Sequence, residues 1–342
     1  MSTLLSDLGV DLPLVAAPMA GGPSTPALVT AAARAGGLGF LAGGYKTAQA
    51  LAGQIHTTRV EGVAFGVNLF APNPIPLSDD AYRSYAQAVQ PEADRYGLAL
   101  PEHPLEDDDH WTDKIDLLTS SPVPWVSFTF GIPDRTVISA LRRAGSTVLQ
   151  SVTSAEEARL AAESGVDALI VQAPAAGGHS ATLTPAQPPQ PIPLTDLVAA
   201  VRRAVPLPAI ATGGITTAAD TTAALAAGAE AAMIGTALLR THESGASAPH
   251  KAALVDPVFT TTTVTRAFTG RPARALRNRF TEHYDPIAPL GYPALHHLTG
   301  PLRKAATAAG DTRLIHLWAG TGHRQAKAEP AADTIARFAG HL

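Results

Sequence analysis

Short apolar runs alternate with Ala-rich stretches of helical length from the start of the chain to about residue 243. The runs lie at 12–17, 38–42, 63–69, 125–130, 147–152, 168–172, 209–212 and 231–234, and each is short enough, and flanked by enough turn residues, to read as a buried strand. Helix-length segments at 25–35, 48–56, 134–144, 154–164, 194–204 and 217–227 lie between most of them. Ser154 and Thr217 stand where N-caps belong, and Gly36, Gly145, Gly165 and Gly228 where a left-handed residue ends a helix. Strands alternating with helices demand parallel crossovers, and eight such repeats close a (β/α)8 TIM barrel.

Two stretches break the alternation. Residues 71–123, after the third strand, are Pro-rich and carry the acidic run Glu106-Asp107-Asp108-Asp109; at this length the segment predicts helices at 79–96 and 112–118, with the acidic run as a solvated turn. Residues 184–193 hold five prolines and predict a stiff excursion over the barrel mouth. The barrel then occupies 1–243, with 71–123 as an insertion, and residues 244–342 are expected to form a small, mainly helical lobe closing over the mouth.

Composition narrows the function classes. The chain has 342 residues, 46% hydrophobic and 16% charged, with a net charge of −4 and no long basic run, so nothing attracts nucleic acid. There is no cysteine, which removes disulfides, thiolate nucleophiles and Cys-ligated metals, and no His-Glu-x-x-His or comparable spacing appears, so no metal is expected. Residues 1–8 lack the basic start and apolar core of a signal peptide, and no run of 18 apolar residues occurs; a cytoplasmic enzyme away from membranes is the expectation, with a homodimer left open.

Reactive groups of such barrels gather at the C-terminal ends of the strands. After the seventh and eighth strands stand Gly213, Gly214, Met233, Ile234, Gly235 and Thr236, whose bare amides suit a phosphate. Ala17, Pro18 and Met19 at the first strand end offer backbone polar groups beside an apolar side chain, suited to a flat ring. Asn68 and Gln172 carry amides that donate and accept, as the edge of a pyrimidine-like ring requires. Flavin mononucleotide, FMN, has both a flat ring with such an edge and one phosphate. His179 follows Gly177 and Gly178, so its backbone can approach a cofactor closely while its imidazole serves proton transfer near neutral pH. Of the other histidines, His103, His110, His242, His250, His296, His297, His316 and His323 read as surface or structural.

Taken in order, these motifs resemble the nitronate monooxygenase family, formerly the 2-nitropropane dioxygenases, and its class I in particular. The likeness runs through Ala17-Pro18-Met19-Ala20-Gly21-Gly22, Gly66-Val67-Asn68-Leu69-Phe70, Ser127-Phe128-Thr129-Phe130-Gly131, Gln172 to His179, Thr212-Gly213-Gly214, Gly235-Thr236, Gly270-Arg271-Pro272-Ala273-Arg274 and Trp318-Ala319-Gly320. The resemblance implies FMN held by Pro18, Met19, Asn68, Gln172, Gly177, Gly178, Gly214 and residues 233–236, a catalytic His179, and oxidation of an alkyl nitronate by O2 to a carbonyl compound and nitrite. It departs at Thr129, where many class I members have a second histidine, and at Thr321, where Gln is usual. Thr129, Tyr292 and Lys304 are the candidate substrate contacts.

Other readings remain open on the same scaffold. One is an FMN-dependent enoyl-[acyl-carrier-protein] reductase, which should show a basic patch for its carrier. A second is an NAD(P)H:quinone reductase, and a third is a flavin-binding protein without catalysis.

Overall fold

Every predicted strand is present in the computed structural model, which describes residues 10–187 and 189–340. Residues 1–9, where the absence of a signal peptide was read, and Pro188 of the proline-rich excursion lie outside the described residues. In chain order the strands are β1 (Leu14–Ala16), β2 (Leu38–Ala42), β3 (Phe65–Ala71), β4 (Trp125–Phe130), β5 (Thr147–Val152), β6 (Ala168–Gln172), β7 (Gly178–His179), β8 (Ala209–Thr212) and β9 (Ala231–Ile234). All but β7 form a closed parallel barrel in the order β1-β2-β3-β4-β5-β6-β8-β9, the TIM-barrel architecture.

Because both faces of each strand are covered, the runs are apolar throughout rather than alternating. Val15, Phe40, Trp125, Leu149, Ile170, Ile210 and Met233 fill the barrel interior. Leu41, Val67, Val126, Val148, Leu169 and Val171 instead meet the surrounding helices. These are α1 (Pro26–Arg34), α2 (Ala48–Arg59), α5 (Arg135–Arg143), α6 (Ala155–Ser164), α7 (Leu194–Ala204) and α8 (Ala218–Ala226), with α3 (Asp79–Asp94) and α4 (Trp111–Ser120) inside the insertion. The caps read from sequence form: Ser154 accepts from the Glu157 amide, and Thr217 with Asp220 makes a reciprocal capping box.

The insertion corrects one expectation. Its acidic run is not a solvated turn throughout, because two of its carboxylates are tied into the fold. Asp109 pairs at 2.7 Å with Lys114, whose side chain is 1% exposed, and accepts the Tyr45 N–H at 2.8 Å. Asp107 meets His297 at 2.7 Å. Helix α3 sets Tyr82, Tyr85 and Val89 into a second core with Phe268, Phe280, Leu295 and Leu298 of the C-terminal segment. Buried Glu92 joins the two parts again through Arg95 and Arg279.

The C-terminal segment contains α9 (Ala248–Ala253), β10 (Thr262–Thr265), β11 (Ala273–Leu276), α10 (Arg279–Tyr284), α11 (Ala294–Ala308) and α12 (Ala331–Ala339). The β10–β11 hairpin stands where helix was anticipated, and the β-branched run Thr261-Thr262-Thr263-Val264-Thr265 accounts for it. It adds β7 to its edge, pairing Ala273 with His179 and Arg274 with Gly178. The rest of this segment is the cap of the barrel, and helix α12 leaves it altogether. Its Ala331, Ile335 and Phe338 pack with Leu14, Leu28 and Ile234, so the last helix of the chain closes the outer ring beside α1 and α8.

Candidate active site

One cavity of about 320 Å³ opens at the C-terminal ends of the barrel strands. It gathers residues from across the sequence: Ala17, Pro18, Met19, Asn68, Thr129, Gln172, Gly177, Gly178, His179, Gly213, Gly214, Met233, Ile234, Gly235 and Thr236 all line it. Small-molecule sites commonly enclose about 300–1,000 Å³, and this cavity falls within that range.

The side below β8 and β9 is made of backbone. Gly213 and Gly214 adopt φ of +101° and +82°, a left-handed pair that L side chains resist, and a Cβ on Gly213 would stand 2.7 Å from the Ala173 carbonyl oxygen. Among the described residues, the amides of Gly213, Gly214 and Gly235 donate to no protein acceptor. Unpaired N–H groups converging from two adjacent strand ends form an anion cradle. At the first strand, Ser24 shapes the turn by accepting from the Met19 N–H at 2.8 Å and donating to the Ala17 carbonyl at 3.2 Å.

Two residues expected to face a ring edge behave differently from each other. The Asn68 amide nitrogen is occupied by the Ser127 carbonyl and hydroxyl and by the Thr129 hydroxyl, at 3.2, 2.9 and 3.0 Å, which leaves its oxygen as the group free for a donor. Thr129 thus aligns Asn68. Gln172 spans its own loop, donating to the His179 carbonyl at 3.2 Å and accepting from the Ala181 N–H at 2.8 Å. Its amide oxygen is therefore engaged in holding the loop. Gly177 is close-packed for a similar reason, since a Cβ there would lie 2.5 Å from the Gly320 nitrogen.

His179 stands against the opposite wall. Its ring centroid lies 5.3 Å from Trp318, 5.6 Å from Phe130 and 5.9 Å from Tyr292. Nε2 lies 2.9 Å from the Thr269 hydroxyl. Burial, with the Arg271 and Arg303 guanidinium groups nearby, holds its pKa down to about 3, so the imidazole is neutral throughout the physiological range.

The sequence reading gave neither arginine a role, although Arg271 lies in the Gly270-Arg271-Pro272-Ala273-Arg274 motif. Both are buried, and among the described residues neither pairs with a carboxylate. Arg271 lies over the Phe130 ring at 4.1 Å and donates Nη2 to the Thr182 carbonyl, while its Nε and Nη1 have no partner. Phe130 itself is held at φ +83°, unusual for an aromatic residue. Arg303 bonds Thr299 at 3.0 Å and the His296 carbonyl at 2.7 Å. Burial lowers both guanidinium pKa values to about 10, which leaves both charged at neutral pH.

The helical spacing decides the fate of Lys304. On α11, Arg303 turns inward, whereas Lys304 is exposed and does not line the cavity. Tyr292 lies behind His179 rather than on the cavity surface. Histidines read as peripheral are partly at the centre: His250 and His316 line the cavity, and His296 stacks on Tyr45 with centroids 4.1 Å apart. Burial pushes the pKa of His296 and His316 well down and that of His250 to about 4. Nothing in local spacing marks these residues, because the C-terminal segment brings them to the mouth only through tertiary packing.

Residues 2–339 match the family described as nitronate monooxygenase. A relative from Staphylococcus aureus, described as a probable nitronate monooxygenase, is 33% identical over 331 residues, 95% of this chain and 92% of its own length. The solved structure of nitroalkane oxidase from Streptomyces ansochromogenes is 48% identical, with a TM-score of 0.94 and coverage of 99% of this chain and 98% of the other. FabK from Thermotoga maritima is more distant, at 26% identity and a TM-score of 0.76, covering 99% and 95%.

Proposed function

The chain belongs to the nitronate monooxygenase family of oxidoreductases, and from that premise we propose that it holds FMN in this cavity and uses O2 to oxidise alkyl nitronates to a carbonyl compound and nitrite. The residues fit such a cofactor. The unpaired amides of Gly213, Gly214 and Gly235 suit its phosphate, the turn at residues 17–19 suits the face of its ring, and the free Asn68 oxygen suits a ring N–H. The chemistry supplied by the cofactor when bound is acceptance of electrons from the nitronate and their delivery to O2.

The observation that carries the substrate reading is the pair of carboxylate-free guanidiniums behind His179. A buried cation without a counter-charge is costly, and the potential it leaves in the adjoining cavity favours an anion. A nitronate is an anion and its parent nitroalkane is not. His179, neutral and packed between Phe130 and Tyr292, meets the substrate without adding charge, and Trp318 beside it presents an aromatic ring to the same cavity.

Anaerobic mixing of the purified yellow protein with ethyl nitronate tests this, followed by admission of O2. Bleaching of the flavin by the nitronate and nitrite release on reoxidation are expected. Bleaching by NADPH with no response to nitronate would instead favour a pyridine-nucleotide-dependent reductase.

A further inference from the structure

The two ring nitrogens of His179 have different surroundings. Nε2 is 2.9 Å from the Thr269 hydroxyl, whereas Nδ1 has no partner among the described residues and is not fully buried, so it reaches the cavity that His179 lines. Thr269 has one hydroxyl proton. Its second contact is the Arg271 carbonyl at 3.3 Å, and a carbonyl can only accept. With the hydroxyl proton directed to Arg271, the oxygen is left to accept from His179 Nε2–H.

We propose that Thr269 is a positioning residue that holds His179 in the Nε2–H tautomer and thereby presents the Nδ1 lone pair to the substrate. The inference concerns Thr269 and rests on the proposed function, with a neutral nitroalkane, the compound class named for the Streptomyces ansochromogenes relative, as the proton donor. Nδ1 removes the α-proton: the C–H bond breaks, the proton goes to Nδ1, and the electron pair spreads onto the nitro group to give the nitronate. No oxidant enters this step. Arg271 and Arg303 disfavour the imidazolium but favour the nitronate formed beside it, so the ion pair is tolerated where an isolated imidazolium is not.

The surroundings make the placement of Thr269 firm. It sits in the β10–β11 turn, 1% exposed, with neighbouring carbonyls anchored from three directions. Tyr85 donates to the Ala267 carbonyl at 2.6 Å, Thr299 donates to Phe268, and the Gly291 amide donates to Gly270 at 3.0 Å. Both the insertion and α11 thus fix the hydroxyl. A threonine serving only to fill space would require neither the carbonyl that takes its proton nor the imidazole N–H that its oxygen accepts.

The ¹⁵N spectrum of protein labelled at histidine reads the tautomer directly at pH 7.5, with His179→Gln assigning the signals. A protonated Nε2 and an unprotonated Nδ1 are expected, with that preference lost in Thr269→Val and kept in Thr269→Ser. A protonated Nδ1 in the wild type, or an unaltered tautomer ratio in Thr269→Val, would overturn the proposal. In turnover, Thr269→Val should lower kcat with nitroethane at least tenfold more than kcat with ethyl nitronate, and Thr269→Ser should restore the wild-type ratio. Equal losses on both substrates would also overturn it. Wild-type protein inert to both compounds would defeat the nitronate reading alone, because the spectrum still decides the role of Thr269.

Discussion

The two walls of the cavity are built on opposite principles. Below β8 and β9 the lining is backbone from one short stretch of chain, with glycines at φ +101° and +82° and amides left unpaired. The facing wall presents the His179 side chain from β7, backed by side chains from remote segments: Phe130 from β4, Thr269 and Arg271 from the hairpin turn, and Arg303 from α11. The first can hold an anion wherever a glycine pair meets a strand end. The second needs the insertion and the C-terminal segment in place together. Substitutions on the two walls should therefore fail differently.

The largest effect belongs to the side-chain wall. His179→Ala should lower kcat/KM for the substrate about 10²–10⁴-fold, the usual worth of a positioned proton-transfer group, while flavin absorbance per protein stays unchanged. Loss of the flavin from this variant would erase the distinction between the walls. On the backbone wall, Gly213→Val forces a β-branched residue into a left-handed backbone beside the Ala173 carbonyl. Strain of about 1–3 kcal/mol should appear as weaker flavin retention, roughly 10–100-fold, measured by dialysis and absorbance, with residual turnover after flavin is added back.

The histidines of the side-chain wall also set a pH dependence. His179 and His250 have folded pKa values of about 3 and about 4, below the ordinary 6.5, so the unfolded chain takes up their protons first. Their contribution to stability is fully present above pH 6.5 and is lost as the pH falls from there toward those values, by about 1.4 kcal/mol per pH unit for each histidine. Urea unfolding at pH 7.5, 6 and 5 should show this decline. In His250→Asn it should be shallower, and a slope equal to wild type would remove His250 from the account.

The smallest effect should come from Arg303→Met. It removes one of the two charges that act through neighbours without touching the cavity, and a unit charge on the order of 10 Å away at an effective dielectric constant near 20 contributes roughly 1–2 kcal/mol to anion binding. KM for ethyl nitronate should rise several-fold and kcat change less. An unchanged KM would mean that the potential in the cavity does not come from α11.

The backbone wall was legible because its cause is local. Gly213, Gly214 and Gly235 lie directly after apolar runs, and the glycine at a strand end predicts both the turn and the exposed amide. His179 stood out for the same reason, after two glycines. Gln172 shows the limit: the residue lines the cavity as expected, yet its oxygen is committed to Ala181, nine positions away. Lys304 and Arg303 are adjacent in sequence and opposite in exposure, a difference set by the rotation of one helix against the core.

By itself, then, the order of apolar runs and caps determined the barrel, because a strand buried on both faces and a helix stopped at glycine are short-range signatures. Only tertiary structure decided how the barrel is closed and charged. The acidic run of the insertion reaches Lys114, Tyr45 and His297, and α12 returns across the cap to complete the outer ring. Among the described residues, Arg271 and Arg303 are left without carboxylates beside His179. The physical reason is that the charge and tautomer of a buried group depend on which atoms surround it, and those atoms come from segments more than 80 residues away, as with Thr269 and His179.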